Sequence, residues 1–306
     1  MNRESGSALT IVALVVVLIL VVLGAGVVCS SIEDPPPRQK SGKGDSDPPG
    51  TLEPRVVGRI SDRRIRESSG LDASATIDGA FWTHNDSGNP PELFCLRPGG
   101  RSCGTHLVQG ATNTDWEDIA TATLDGRPYI FVGDIGDNAA VRPSIQVYRI
   151  PEPTAPGDEP LPSEVVELTY PDGPHDAEAL LVDPATGDLY VVTKARRAAV
   201  YRKEAPFASG ALTFVGRLPG RSLIAGPTGG DISPDGRTVA FVSYTGAFEL
   251  PFRRSFRSLR AGDRRALDIP LGEQREAIAY RADGRTLLST VEAVRGPILE
   301  IPVPGS

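Results

Sequence analysis

The sequence predicts an all-β protein: a single β-propeller of five four-stranded blades, closed by an N-terminal strand and preceded by one transmembrane helix. Three observations predict it: a hairpin motif that recurs five times, an uncharged apolar run near the amino terminus, and a composition rich in turn formers. The 306 residues include 33 Gly and 28 Pro against 6% aromatics, which favours many turns over long helices. Length alone leaves one or two domains open, because repeat-built β folds often exceed about 200 residues as one unit.

Residues 8–28 read ALTIVALVVVLILVVLGAGVV without a charge, and about 20 apolar residues cross the hydrocarbon core as a helix. A cleaved secretory signal is the competing reading, but its apolar region usually runs only about 7–15 residues. The n-region here offers Arg3 beside Glu4. Length therefore favours an uncleaved signal anchor, with residues 1–7 as a short cytoplasmic tail. Cys29 follows Val28 rather than a small residue and so fits a lipoprotein cysteine poorly. Flanking charge points the other way, since Arg38, Lys40 and Lys43 follow the segment and Arg3 precedes it. A long domain crosses largely regardless of such charges, so the expected location is the cell membrane, single-pass, with the propeller on the extracytoplasmic side. Residues 29–53 form a Pro-rich disordered linker to a propeller spanning 54–306.

The repeat carries the fold. Its five copies are ESSGLDASATIDGAFWTHND, DWEDIATATLDGRPYIFVGD, DAEALLVDPATGDLYVVTK, GGDISPDGRTVAFVSY and REAIAYRADGRTLLSTVE. Four place Asp-Gly at the turn (Asp78-Gly79, Asp125-Gly126, Asp235-Gly236, Asp283-Gly284) and one Thr186-Gly187, which supplies the positive φ that tight hairpins demand. The aligned aliphatics Leu71, Ile119, Leu180, Ile232 and Ile278 lie 48, 61, 52 and 46 residues apart, close to the length of one four-stranded blade. Six blades is the alternative, if the 61-residue interval hides a degenerate one. Residues 54–60, PRVVGRI, form a strand without a blade. That strand is expected to complete the last blade and close the ring, removing two open sheet edges. Cys95 and Cys103 flank the turn-rich LRPGGRS, so a hairpin brings them within reach of a disulfide, which implies an oxidising compartment. Two unrelated buried thiols are the alternative.

In a propeller the loop leading into each inner strand and the loop leaving the second strand open on one face. The first set supplies Glu117, Asp118, Glu178, Asp231 and Glu276; the second supplies Asp86, Asp134, Lys194, Tyr244 and Glu292, followed by Asp137 and Asn138 in GDIGDN. Carboxylates crowded at one mouth repel, and a hard cation with oxygen ligands, Ca²⁺ above all, relieves them. The first set is therefore expected to face the metal, and the second set, with Arg275, to face a ligand. Acids before inner strands can equally accept backbone N–H bonds that fix a blade, and HNDSGN and DIGDN are good turns in themselves. His84 and His175, beside Asp86 and Asp176 on the same rim, are the candidate general bases, against the commoner surface role of such histidines.

The three histidines, without HExxH or paired CxxC motifs, argue against zinc. The sequence also lacks a GxSxG elbow and a Gly-rich phosphate loop. Its net charge of −7, with basic residues spread along the chain, argues against nucleic acid as a partner.

SSGL, HNDSGN, DWEDIA, YIFVGDIGDN, YPDGPHDAEALLVDP and TGDLYVVTK resemble bacterial extracytoplasmic propellers of the phytase-like and esterase-like class. The strand lead-in pattern is also similar to the SdiA-regulated five-bladed family. The likeness covers residues 54–304. It implies several Ca²⁺ ions in an acidic channel mouth and hydrolysis of phosphomonoesters there, with Glu117, Asp118, Glu178 and Glu276 as metal-facing groups. The chain departs from that pattern in its cations: Lys194, Arg196, Arg197 and Arg275 are the nearby ones, and a polyanionic substrate needs such groups to hold it. The expected function is thus a membrane-anchored Ca²⁺-binding propeller that takes a small-molecule or protein ligand at its mouth. The alternatives are a Ca²⁺-dependent phosphoesterase or esterase, and a scaffold using its rim for protein contacts.

Overall fold

A computed structural model describes residues 53–220, 226–270 and 273–303. The expected cytoplasmic tail, membrane segment and linker, up to residue 52, lie outside the described residues. Among the described residues no helix is long and apolar enough to cross a membrane.

These residues form a five-bladed propeller. Strand β1 (Arg55–Arg59) comes first, and blade 1 follows as β2 (Ser68–Ala73), β3 (Phe81–Asn85), β4 (Glu92–Leu96) and β5 (Ser102–Gln109). Blade 2 comprises β6 (Trp116–Leu124), β7 (Arg127–Asp134), β8 (Ile145–Pro151) and, after a short β9 (Leu161–Pro162), β10 (Glu164–Thr169). Blade 3 comprises β11 (Ala177–Val182), β12 (Leu189–Thr193), β13 (Ala199–Lys203) and, after β14 (Gly210–Ala211), β15 (Thr213–Arg217). Blade 4 is β16 (Gly229–Ile232), β17 (Thr238–Ser243), β18 (Gly246–Pro251) and β19 (Arg265–Leu267). Blade 5 is β20 (Arg275–Tyr280), β21 (Thr286–Val291) and β22 (Pro297–Pro302), completed by β1.

Why these strands stack follows from their side-chain alternation. Along β12, Val191 packs with Phe131 and Val147 of blade 2, while its neighbours Tyr190 and Val192 pack with Phe241 and Phe248 of blade 4. Period-two alternation sends successive side chains to opposite faces, and each face meets another blade, so the whole of β12 is buried. Five such apolar clusters occur among the described residues, one at each blade interface. The outer β10 instead alternates exposed and buried positions, as expected of a sheet with one wet side.

The ring closes as the sequence predicts. β1 pairs antiparallel with β22, Arg55 opposite Glu300 and Arg59 opposite Pro297, and Arg55 Nη2 meets Glu300 Oε1 at 2.8 Å. Cys95 and Cys103 form a disulfide between β4 and β5, their Cα atoms 5.0 Å apart. The β6–β7 turn is a two-residue loop with both Asp125 (φ 50°) and Gly126 (φ 76°) left-handed, the geometry that matches strand twist.

The long 61-residue interval holds no sixth blade. Its extra residues leave β8 and reach back to blade 1, where β9 pairs parallel with β5, Leu161 opposite Val108. On the way Glu152 accepts hydrogen bonds from Trp82 Nε1 at 2.8 Å and Ser74 Oγ at 2.5 Å. Blade 3 repeats the device with β14 laid on β10, Leu168 opposite Gly210, and blade 4 does so with a single bridge from Phe256 to Gly216.

Candidate cation-binding mouth

Four inner strands carry a β-bulge at one shared position; in β2 it falls between Ser68 and Leu71, where Ser69 stands in place of a glutamate. In β6 Trp116 pairs with Asp134 and Asp118 with Gly133, leaving Glu117 unpaired between them. The same irregularity leaves Glu178 unpaired in β11 and Glu276 in β20. A bulge re-aims a side chain that regular pairing would send to a sheet face, and here it turns three glutamates toward the channel mouth. Blade 4 pairs regularly from Gly229 through Ile232. A side chain there has no room, because a Cβ on Gly230 would stand 2.7 Å from the Phe241 ring.

Loops add further acids. Asp86 follows β3, Asp115 precedes β6, Asp176 precedes β11 and Glu292 follows β21. Carboxylate oxygens of Asp86, Glu276 and Glu292 lie within 4.8 Å of one another. So do those of Asp86, Asp115 and Glu117, and those of Glu117, Asp176 and Glu178. The triads form a chain, joined through Asp86 and Glu117. Two oxygens about 4.8 Å apart can straddle one Ca²⁺, whose bonds to oxygen run about 2.3–2.6 Å.

Gly136 makes the crowding sterically feasible. A Cβ there would fall 2.3 Å from Glu117 Oε1 and 2.4 Å from Asp115 Oδ2, so glycine leaves the space both carboxylates occupy. Its amide donates to the Asp115 carbonyl at 3.1 Å and its carbonyl accepts from Arg142 Nη1 at 2.7 Å, which fixes the cradle.

The electrostatics follow from burial and crowding. Burial, then Glu178, Asp86, Asp115 and Glu276, push the Glu117 carboxyl up to about 11. Burial lifts Glu178 to about 7 against the opposing field of Lys194. Glu292 rises to about 8 through burial and its hydrogen bond with Glu276, and Asp115 to about 6 through burial and the neighbouring Asp86 and Asp176. Asp86 and Glu276 are also raised, chiefly by burial. Lys194 Nζ donates to Glu178 Oε1 and lies 5.6 Å from the Tyr244 ring centroid; the Tyr244 hydroxyl donates to Glu276 Oε1. Burial opposes the Lys194 charge, yet Glu178, Glu117 and Glu276 hold its pKa above the ordinary lysine range.

The structure thus gathers Asp86, Glu117, Glu178, Lys194, Tyr244, Glu276 and Glu292 in one mouth. Asp118 and Asp231 are not in it. Asp118, fully buried, accepts from its own blade at Ile119 N (2.9 Å), from blade 3 at Leu180 N (3.0 Å) and from blade 4 at Gly230 N (3.3 Å). Asp231 accepts from Tyr280 N of blade 5 at 2.7 Å, and Asp72 of blade 1 accepts from Thr121 N of blade 2. These aspartates tie inner strands together, and Asp72 and Asp231 border a separate cavity of about 300 Å³ beside the hairpin-turn residues Pro184 and Pro234. The bulge explains the difference: it turns Glu117 to the mouth and leaves the next residue, Asp118, paired and inside.

Several ligand candidates also serve the scaffold. The Asp134 side chain is buried, meets Arg142 Nη2 at 2.7 Å and accepts from Thr114 N at 3.1 Å. Asp137 accepts from Arg142 N at 2.7 Å, and Asn138 is exposed. Arg275 is 2% exposed and donates to Glu273. His84 is not on the rim. It is wholly buried against Trp116, its Nδ1 is 3.0 Å from the Asn85 carbonyl, and burial lowers its pKa to about 4. His175 does lie at the surface, its Nε2 3.0 Å from Asp172 Oδ1 and 2.8 Å from the Tyr201 hydroxyl.

Asp115 and Asp176 are the mouth acids that reading the repeat as two aligned sets overlooks. Both stand two residues before a bulged glutamate, and the doubled Asp-x-Glu of DWE and DAE is the signal that marks them.

No protein-family model and no curated protein matches this sequence. Among solved structures, hydrazine synthase of Kuenenia stuttgartiensis is similar at 15% identity and a TM-score of 0.41, over 74% of this chain and 56% of that one. The chain therefore spans little more than half the length of that neighbour, and a likeness this remote transfers no activity. The five-bladed fold implied by the resemblance is present, whereas these comparisons add nothing for the phytase-like or SdiA-regulated families.

Proposed function

We propose that this chain is a membrane-tethered, extracytoplasmic propeller whose acidic mouth binds Ca²⁺ and presents it to a small-molecule or protein ligand. The observation that carries this reading is Glu117. The residue is 3% exposed, and its carboxyl has no hydrogen-bond or ion-pair partner among the described residues and joins two carboxylate triads. A buried carboxylate without a donor is costly, and a divalent cation bound by two triads at once would remove that cost. The apolar residues 8–28 support the tether, and the Cys95–Cys103 disulfide supports an oxidising compartment.

Binding is a better reading than phosphoester hydrolysis because three of the cations near the mouth are already paired, Lys194 with Glu178, Arg142 with Asp134 and Arg275 with Glu273. The test is calorimetric titration of the full-length chain with Ca²⁺, followed by phosphomonoester and carboxylic-ester assays with and without the metal. The reading expects saturable Ca²⁺ binding that Glu117→Gln weakens about 100-fold, or roughly 2.7 kcal/mol, and no metal-dependent turnover. Absence of Ca²⁺ binding overturns it. Turnover restored by Ca²⁺ would replace the binding module with a metal-dependent hydrolase.

A further inference from the structure

The three triads of the mouth are not equivalent, because one already contains a cation of the protein's own. Glu117, Asp176 and Glu178 lie within reach of a single ion, yet Glu178 Oε1 already receives Lys194 Nζ. The Lys194 side chain is 21% exposed and that of Glu178 only 3%, so the pair is largely out of water while the lysine keeps a path to it. The Tyr244 ring, 5.6 Å from Nζ, flanks the ammonium, and the Tyr244 hydroxyl is tied to Glu276 of another triad. The remaining triads, Asp86 with Glu276 and Glu292 and Asp86 with Asp115 and Glu117, include no ion-paired carboxylate among the described residues.

We infer that Lys194 is a tethered counter-ion occupying the Glu178 end of the mouth: a first divalent ion enters beside Asp86, and a second is held only when the ammonium leaves Glu178. This rests on the cation-binding reading above. An ion coordinated by Glu178 would stand within about 5 Å of an ammonium bonded to the same carboxylate, and like charges at that distance repel strongly outside bulk water. The lysine stem is long and flexible, so expulsion needs only rotamer changes toward the rim.

Calorimetric titration of the full-length chain with Ca²⁺ tests the inference, using Lys194→Met to remove the charge and keep much of the stem, and Lys194→Arg to keep the charge. Wild type and Lys194→Arg should bind Ca²⁺ in two phases. In Lys194→Met the first phase should stay within about threefold, and the second should tighten by about tenfold or more, the scale expected from removing one nearby like charge. Identical titrations of wild type and Lys194→Met overturn the inference while leaving the Ca²⁺ reading standing. Absence of Ca²⁺ binding in every variant removes that reading itself. A measurement on wild type alone decides the matter if Lys194→Met does not fold: acylation by an N-hydroxysuccinimide ester, mapped by mass spectrometry with Lys203 as internal reference. Lys194 labelling should rise across the second Ca²⁺ phase, and labelling unchanged at saturation contradicts the displacement.

Discussion

Asp118 and Glu117 are neighbours in β6, both carboxylic acids and both buried, yet they live in different surroundings. Asp118 accepts from three backbone amides on three blades, whereas no donor approaches the Glu117 carboxyl among the described residues and four other acids crowd it. Asp72 and Asp231 share the first condition, Asp86, Asp115 and Glu292 something nearer the second. One tier of carboxylates therefore has its oxygens met by backbone donors, though burial raises Asp72, Asp118 and Asp231 as well, and the other has no such donors. Burial and acidity alone do not separate a structural acid from a ligand. The supply of donors does.

Replacing Asp118 should have the largest effect on stability. Asp118→Ala strips acceptors from the Leu180 and Gly230 amides, and buried donors left unsatisfied cost about 1–3 kcal/mol each. The expected loss, about 3 kcal/mol or more, is read by chemical denaturation without Ca²⁺; a loss below about 1 kcal/mol would dissolve the distinction between the tiers. Next in size, Gly136→Ala should displace Glu117 Oε1 and Asp115 Oδ2, which occupy the place of the new methyl group. Both are ends of flexible side chains, so the protein should fold while Ca²⁺ affinity falls about tenfold, or roughly 1.4 kcal/mol, in a calorimetric titration. The smallest effect belongs to Glu117→Gln in the metal-free protein. Glu117 holds its proton well above neutral pH, so an uncharged isostere should leave stability within about 0.5 kcal/mol while sharply weakening the response to Ca²⁺. A loss comparable to that of Asp118→Ala would place Glu117 in the scaffold.

The ring was legible because its signals are local and repeated: five hairpins, Gly at their turns, and a lone strand at 54–60 able to close blade 5. The straps were not, since two-residue parallel pairings such as Leu161 with Val108 leave no periodic trace, and the 61-residue interval could be read either way. The mouth was half legible. Alternation places residues by parity, and a bulge breaks parity, so Glu117 and Asp118, one position apart, are not distinguishable in the sequence. His84 misled for a related reason: it neighbours a rim loop in sequence, but β3 turns it into the packing against Trp116.

The most direct test of the two-tier account is thermal unfolding of the full-length chain at pH 5 and pH 8, with and without Ca²⁺. Glu178, Glu292 and Asp115 of the mouth are raised to about 7, 8 and 6 in the folded state, and Asp72 of the scaffold to about 7, above their unfolded values near 4. Between these limits the folded state binds more protons than the unfolded one, so the metal-free protein should lose stability as pH rises from about 5 to 8. Ca²⁺ competes with those protons and should raise the melting temperature more at pH 8 than at pH 5, and much less in Glu117→Gln at the same Ca²⁺ concentration. A melting temperature at pH 8 that does not move with Ca²⁺ would contradict the account.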